Sequence, residues 1–341
     1  MNYEKINIWN FPPERTYIHL KDDFRIKFIN SLLKKYRSPE IINILNKNSK
    51  KYNIKKKLHS TRVFDWRRGK KETKSKKCKI NIPLWVLIEI SHLTNSKNNL
   101  VFLEKMQKNI EYYCSTGYSN GVYNPNLPIL VTPEFVSGVF HFCGDGHLNC
   151  SKRSCMSSYR QINKEGLNNF HKKLKNCFGE FGYGIDSYNE GKLHVPKIIA
   201  ELYKYYFKIK RNNWDVCRIP NKIKKMSKEF LVAGLNSFII DEGHIREVIE
   251  IYSKNKLLIN DIRQIALKCG YKCYPIKEKY ARGNFDSYRF NISIHSYLKM
   301  NEDTLKLKER FPTCNLAHKQ KVFDKWITYK NQINSSVLLH S

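Results

Sequence analysis

Apolar positions recur every three to four residues in DFRIKFINSLLKKY (Asp23 to Tyr36) and in IPLWVLIEISHL (Ile82 to Leu93), which predicts two early helices. Residues Ser115 to Pro133 concentrate Ser, Gly, Asn and Pro and break that period, so a domain boundary is expected there. Beyond it the pattern repeats. In the first copy Thr132 caps a helix opened by Pro133 and running through EFVSGVFHFC to Gly144-Asp145-Gly146. Strand-like HLNC and SYRQI follow, then a helix from Lys164 to Phe178, strand candidates YGIDSY and KLHV, and the helix KIIAELYKYYF. In the second copy Ser227 caps a helix running through EFLVAGLNSFII to Asp241-Glu242-Gly243. It continues with HIREVIEIY, a helix from Asn255 to Lys268, strands YKCYPIKEK and SYRFNISI, and SYLKM opening another helix. This predicts an α+β fold with four parts. They are a small, mainly helical N-terminal domain (1-114), a linker (115-131) and two related halves (132-218 and 219-341), the second with a C-terminal helical extension.

The helix that opens each half is apolar almost all round, as Phe135, Val136, Val139, Phe140 and Phe142 show in one and Leu231, Val232, Leu235, Phe238 and Ile239 in the other. Such helices are buried. Ser137 and Gly138, or Ala233, Gly234 and Ser237, would let two backbones approach closely. Each helix then ends in a carboxylate followed by glycine, although the C-terminal end of a helix prefers a cation by about 0.3 to 1 kcal/mol. A divalent cation held by Asp145, Glu242 and nearby carbonyls would reverse that penalty, and an oxygen-rich site favours magnesium. The bland alternative makes Gly146 and Gly243 left-handed caps and the acids solvated. Two occurrences at matching places favour a site.

Charge adds a partner. The 341 residues carry 62 Lys plus Arg against 30 Asp plus Glu, a formal +32, and such an excess calls for a polyanion. From Lys50 to Lys79 there are 11 Lys and 3 Arg (Arg62, Arg67, Arg68) against Asp65 and Glu72, with Phe64 and Trp66 among them and a turn at Gly69. That arrangement suits a helix-turn-helix lying against DNA. No apolar run approaches the roughly 20 residues of a membrane span. The ten Cys lack even spacing, and the N-terminal residues lack a signal pattern, so an intracellular, reducing compartment is expected.

PEFVSGVFHFCGDGHL (Pro133 to Leu148) and EFLVAGLNSFIIDEGHI (Glu229 to Ile245) resemble the two motifs of single-chain LAGLIDADG homing endonucleases, and IYSKNKLLINDI resembles the family's strand-to-helix continuation. Ser60 to Ile90 resembles the helix-turn-helix modules found beside such enzymes. The resemblance implies two αββαββα halves, paired helices at their interface and a saddle of two sheets over DNA. It implies a monomeric site-specific double-stranded DNA endonuclease that hydrolyses both strands with Mg2+, for which Mn2+ substitutes. By motif position the metal-binding catalytic acids are Asp145 and Glu242; Asp241, beside Glu242, is a competing ligand, and Gly144 a further one. The sequence departs from the motif where glycine is usual, at Phe140 and Ser237.

Lys164 and Lys254, each where a strand gives way to the next helix, are the candidates for the family's catalytic basic groups. Alternating side chains on the saddle would read base edges, from His147, Asn149, Ser151, Arg153, Tyr159 and Gln161 in one half and His244, Arg246 and Tyr252 in the other. A one-residue slip in register would exchange that set. Two alternatives use the same scaffold. One is an intron maturase that binds structured RNA; the other is a DNA-binding regulator that does not cut. The basic N-terminal domain is expected to add affinity across a flexible linker, so that a chain starting near Leu127 would still cut.

Overall fold

The basic N-terminal third folds around a sheet that the hydrophobic period does not reveal. The computed structural model describes residues 2–72, 77–94, 99–115, 120–148, 157–182, 191–209, 217–282 and 284–338. In chain order the first elements are β1 (Lys5–Ile6), β2 (Tyr17–Leu20), α1 (Asp22–Lys35), α2 (Ser38–Asn48), α3 (Thr61–Arg68), β3 (Lys70–Glu72) and β4 (Lys77–Lys79). They are followed by β5 (Ile82–Pro83), α4 (Leu84–Thr94), α5 (Asn99–Lys108), β6 (Ile110–Cys114) and β7 (Val122–Tyr123). Strands β5, β2, β6 and β7 form one antiparallel sheet in that order, and β3 pairs with β4 as a hairpin directly after α3. The domain therefore adds small sheets to its helices, which still hold most of its structured residues. Its strands span two to five residues, too few to display an alternation.

Helices α2 and α3 are joined by residues 49–60, a longer connection than a tight helix-turn-helix uses. What fixes α3 is Arg25, a fully buried side chain of α1 that donates to the carbonyls of Leu20, Arg67 and Arg68 and pairs with Asp22 at 2.6 Å. Gly69 follows in the left-handed region (φ +69°), where a Cβ would lie 2.1 Å from the Arg25 guanidinium carbon. The anchored helix buries Val63 and Trp66 and exposes Arg62, Phe64, Arg67 and Arg68.

Residues expected to be a linker are tied down. Besides β7, they contain β8 (Ile129–Leu130), which pairs antiparallel with β1. Tyr3 packs edge-on against Phe230 and Phe311. Glu201 is paired by Arg15 and accepts from Ser115. A chain beginning near Leu127 would lose β1 and these contacts.

Beyond β8 lie α6 (Pro133–Cys143), β9 (Gly146–His147), β10 (Ser157–Arg160), α7 (Lys164–Phe178), β11 (Lys192–Val195) and α8 (Lys197–Phe207). After α9 (Asn221–Lys224) come α10 (Lys228–Glu242), β12 (Gly243–Ile245), β13 (Val248–Ser253), α11 (Lys256–Lys268), β14 (Lys277–Ala281), β15 (Asn284–Ser293), α12 (Tyr297–Arg310) and α13 (Gln320–Leu338). The predicted YGIDSY strand lies outside the described residues. Caps explain the helix starts. Thr132 Oγ1 accepts the Phe135 amide at 3.2 Å, and Asn163 and Asn255 accept two amides each at the heads of α7 and α11. Ser227 occupies the N-cap of α10 without a side-chain cap bond. The strands form two small antiparallel sheets, β11-β10-β9 and β12-β13-β15-β14. No helix among the described residues is long and apolar enough to cross a membrane.

Helices α6 and α10 pack together, and the seam accounts for the sequence departures. A Cβ on Gly234 would lie 2.1 Å from the Phe140 ring, so the ring fills the space that glycine leaves. Gly138 faces elsewhere; its Cβ would strike the Tyr203 hydroxyl of α8 at 2.4 Å. Gly234→Ala is therefore expected to destabilise the chain by about 1–3 kcal/mol through overpacking. Chemical unfolding of G234A and of F140L/G234A measures it. The smaller Leu should recover part of the loss, and an unchanged midpoint in G234A would mean the ring is not seated there.

Candidate active site

At the end of α6 the chain turns through Gly144 and Asp145 into β9, and at the end of α10 it passes from Glu242 directly into β12. Neither glycine after the acids has a positive φ, which excludes the left-handed cap reading. Their requirement is steric instead. A Cβ on Gly146 would lie 2.5 Å from the Phe142 Cα, and one on Gly243 would lie 2.7 Å from the Ile239 carbonyl oxygen. In both places the departing strand folds back against the last helical turn, which holds the preceding acid at the helix end.

Asp145, Asp241 and Glu242 meet at these ends. Burial, with the charges of neighbouring acids, raises Asp145 and Glu242 to about 7, and burial raises Asp241 to about 8. The basic group acting on all three is Lys319, just before α13. Its Nζ donates to the Ile239 carbonyl at 2.8 Å and to that of Gly243 at 2.5 Å, capping the C-terminal end of α10. Nothing in the sequence marked Lys319, one Lys among many in the C-terminal extension.

Asp241 is turned inward, its side chain fully buried. It accepts Tyr159 Oη–H at 2.6 Å, the Asp145 amide and His141 Nδ1 at 3.1 Å. Gly144 makes this possible, since a Cβ there would meet Asp241 Oδ2 at 2.7 Å. On the far side of the imidazole, Lys173 Nζ of α7 lies 3.1 Å from His141 Nε2 and 2.8 Å from Ser237 Oγ. A lysine ammonium only donates, so Nε2 accepts and Nδ1 carries the proton towards Asp241. Burial and the Lys173 charge hold His141 well below its usual range, hence neutral. Lys173 and Asp241 are thus linked through a neutral ring. Ser237 supplies Lys173 with a further acceptor. Lys173 was legible in principle, because it interrupts the apolar stripe of Leu167, Phe170, Leu174 and Cys177.

Lys164 and Lys254 are exposed at the heads of α7 and α11. Tyr159 belongs to the inner face of its sheet and is completely buried, so it is not available to read bases as expected. Gln161 Nε2 lies 3.5 Å from Asp145 Oδ2, beside the acid rather than along the strand face. Asn149, Ser151 and Arg153 lie outside the described residues.

The register separates the faces. Cross-strand pairs Ser158 with His147 and His194, and Arg160 with Lys192, place these residues together on one face of the first sheet, opposite Tyr159 and Leu193. In the second sheet His244, Glu250 and Asn291 form one row, and Tyr252, Arg289 and Lys277 the next, while Ile249, Ile251, Phe290 and Ile292 pack into the core. Arg246 Nε donates to His244 Nε2 at 2.6 Å. Tyr252 donates to Glu250, which Arg289 also approaches at 3.4 Å, and the Lys279 ammonium lies 4.7 Å over the Tyr252 ring. Arg289, Lys277 and Lys279 were not among the expected readers.

No family model matches the chain, and no curated protein matches it. Among the described residues no group of three or more His, Cys, Asp or Glu is arranged as a metal shell. The groups that converge are the carboxyls of Asp145, Asp241 and Glu242.

Proposed function

We propose that this chain is a double-stranded DNA endonuclease of the LAGLIDADG type, in which Asp145 and Glu242 hold divalent metal at the junction of two related halves. The observation that carries the reading is the convergence of two acids from two packed apolar helices, close enough for the Asp145 charge to raise the Glu242 carboxyl. The donor set fits a hard divalent cation, because carboxylates lie where burial and mutual repulsion disfavour their charge despite Lys319. Magnesium or manganese would supply activated water and charge neutralisation at phosphorus. Asp145 and Glu242 serve as ligands. Asp241 serves as the internal anchor, its oxygens committed to Tyr159 and His141. Lys319 fixes the end of α10 and keeps positive charge beside the acids.

A repeated order of elements supports the two-half arrangement, with α6, β9, β10, α7, β11 and α8 followed by α10, β12, β13, α11, β14, β15 and α12. The polar rows of the two sheets give the saddle its reading face. The direct test is incubation of the full chain with a randomised duplex library in magnesium, followed by sequencing of cut ends. Recurrent paired cuts at one sequence are expected. Binding without cutting would favour the regulator, and selective binding of structured RNA the maturase.

The N-terminal domain is proposed as a second DNA contact through exposed Arg62, Arg67 and Arg68 on anchored α3. Arg62→Gln with Arg67→Gln should weaken binding and lower the slope of log affinity against log salt by about 0.9 for each phosphate no longer neutralised. A salt series comparing this variant with the unmodified full chain measures the change. Identical slopes would make α3 a solvated face.

A further inference from the structure

Cys143 closes α6 two residues ahead of Asp145, and Cys217 lies in the connection leading to α9. Their sulfurs are 3.2 Å apart and share a hydrogen bond. Cys143 is buried, whereas Cys217 is partly exposed. The Cys217 backbone is anchored to the second half. Its carbonyl accepts from Asn255 Nδ2 at 2.7 Å, and the next residue, Arg218, pairs with Asp261 through two bonds of 3.1 and 2.7 Å. The bond with Cys143 holds the Cys217 thiol below its usual value. Burial raises Cys114, Cys177, Cys269, Cys273 and Cys314 instead. Thiolate character and access are what select an oxidisable cysteine.

We propose that Cys143 and Cys217 form an oxidisable dithiol whose co-reactant is a hydroperoxide. The Cys217 sulfur attacks the peroxide oxygen, giving a sulfenic acid and an alcohol, or water from hydrogen peroxide. The Cys143 sulfur then attacks the Cys217 sulfur, forming the S–S bond and releasing water. Two thiols lose two protons and two electrons, and the O–O bond takes them up. The consequence for cutting rests on the endonuclease reading. Closing the sulfurs to the roughly 2.05 Å of a disulfide moves them together by about 1 Å. Misplacement on that scale next to a reacting group costs up to about 10²-fold in rate.

The test treats the reduced full chain with one equivalent of hydrogen peroxide, quenches with catalase, and maps peptides by mass spectrometry without reduction. A linked Cys143–Cys217 peptide, 2 Da below the sum of its parts, is expected, and it should be missing from both Cys217→Ser and Cys143→Ser. Cutting should fall by about 10²-fold and return with dithiothreitol, with DNA binding unchanged. Thiols at both positions that remain open to alkylation after unfolding would overturn the dithiol. So would a complete link that leaves cutting unaffected. Cutting by the untreated reduced chain judges the endonuclease reading separately, since the peptide map tests the link whatever that assay gives.

Discussion

Asp145→Asn and Glu242→Gln are each expected to abolish double-strand cutting in magnesium while leaving DNA affinity within about tenfold, because phosphate contacts supply most of the binding. Metal-assisted charge stabilisation is worth several kcal/mol, so a loss of about 10³-fold or more should follow. The same substitutions should make the metal-free protein more stable. An ordinary carboxyl titrates near 4 in the unfolded chain, whereas Asp145 and Glu242 are raised to about 7 in the fold. Between those values the folded state holds protons that the unfolded state has released, so stability falls as pH rises from about 4 to about 7 and stays low above it. Removing one charge lifts that penalty. Asp145→Asn should therefore melt above the unmodified chain at pH 8 in chelator and match it near pH 4. Magnesium should close the gap by stabilising only the intact acid pair. Unchanged cutting by either variant would remove the two-acid site. A lower melting temperature for Asp145→Asn at pH 8 would show that this carboxylate is held by contacts rather than strained by charge.

The long elements were legible because one signal each sufficed. The apolar run and the Thr132-Pro133 start define α6, and Asn163 and Asn255 open amphipathic helices that run to the predicted ends. Both acids could be placed for a similar reason, since an acid followed by glycine at the end of an apolar helix is a local pattern. Properties that depend on distant partners were not legible. The N-terminal sheet joins strands of two to five residues from positions near 17, 82, 112 and 122. Tyr159 alternates with polar residues, and only pairing with Gly146 and Leu193 decides that it points inward. Lys319 reaches α10 across 76 positions from Gly243, in a chain so rich in lysine that no single one stands out.

Asp241 shows the same limit, because its neighbour Glu242 is chemically equivalent in sequence and opposite in role. Asp241→Ala should destabilise the protein by about 3–5 kcal/mol, the cost of leaving several buried donors unpaired. It would leave Tyr159, His141 and the Asp145 amide without their acceptor. Asp241→Asn keeps one oxygen for Tyr159 and should cost less, about 1–3 kcal/mol. Lys173→Met combined with Asp241→Asn should cost less than the two single changes added together, since each alone disturbs the same hydrogen-bond chain through His141. Denaturant unfolding of the three variants measures this coupling. Additive losses would mean that the His141 bridge transmits nothing between α7 and the end of α10. Cutting divides the two acids further. Folded Asp241→Asn should retain activity within about tenfold, whereas Glu242→Gln should have none. If Asp241→Asn folds and binds DNA but cannot cut while Glu242→Gln still cuts, Asp241 is the ligand and Glu242 the bystander.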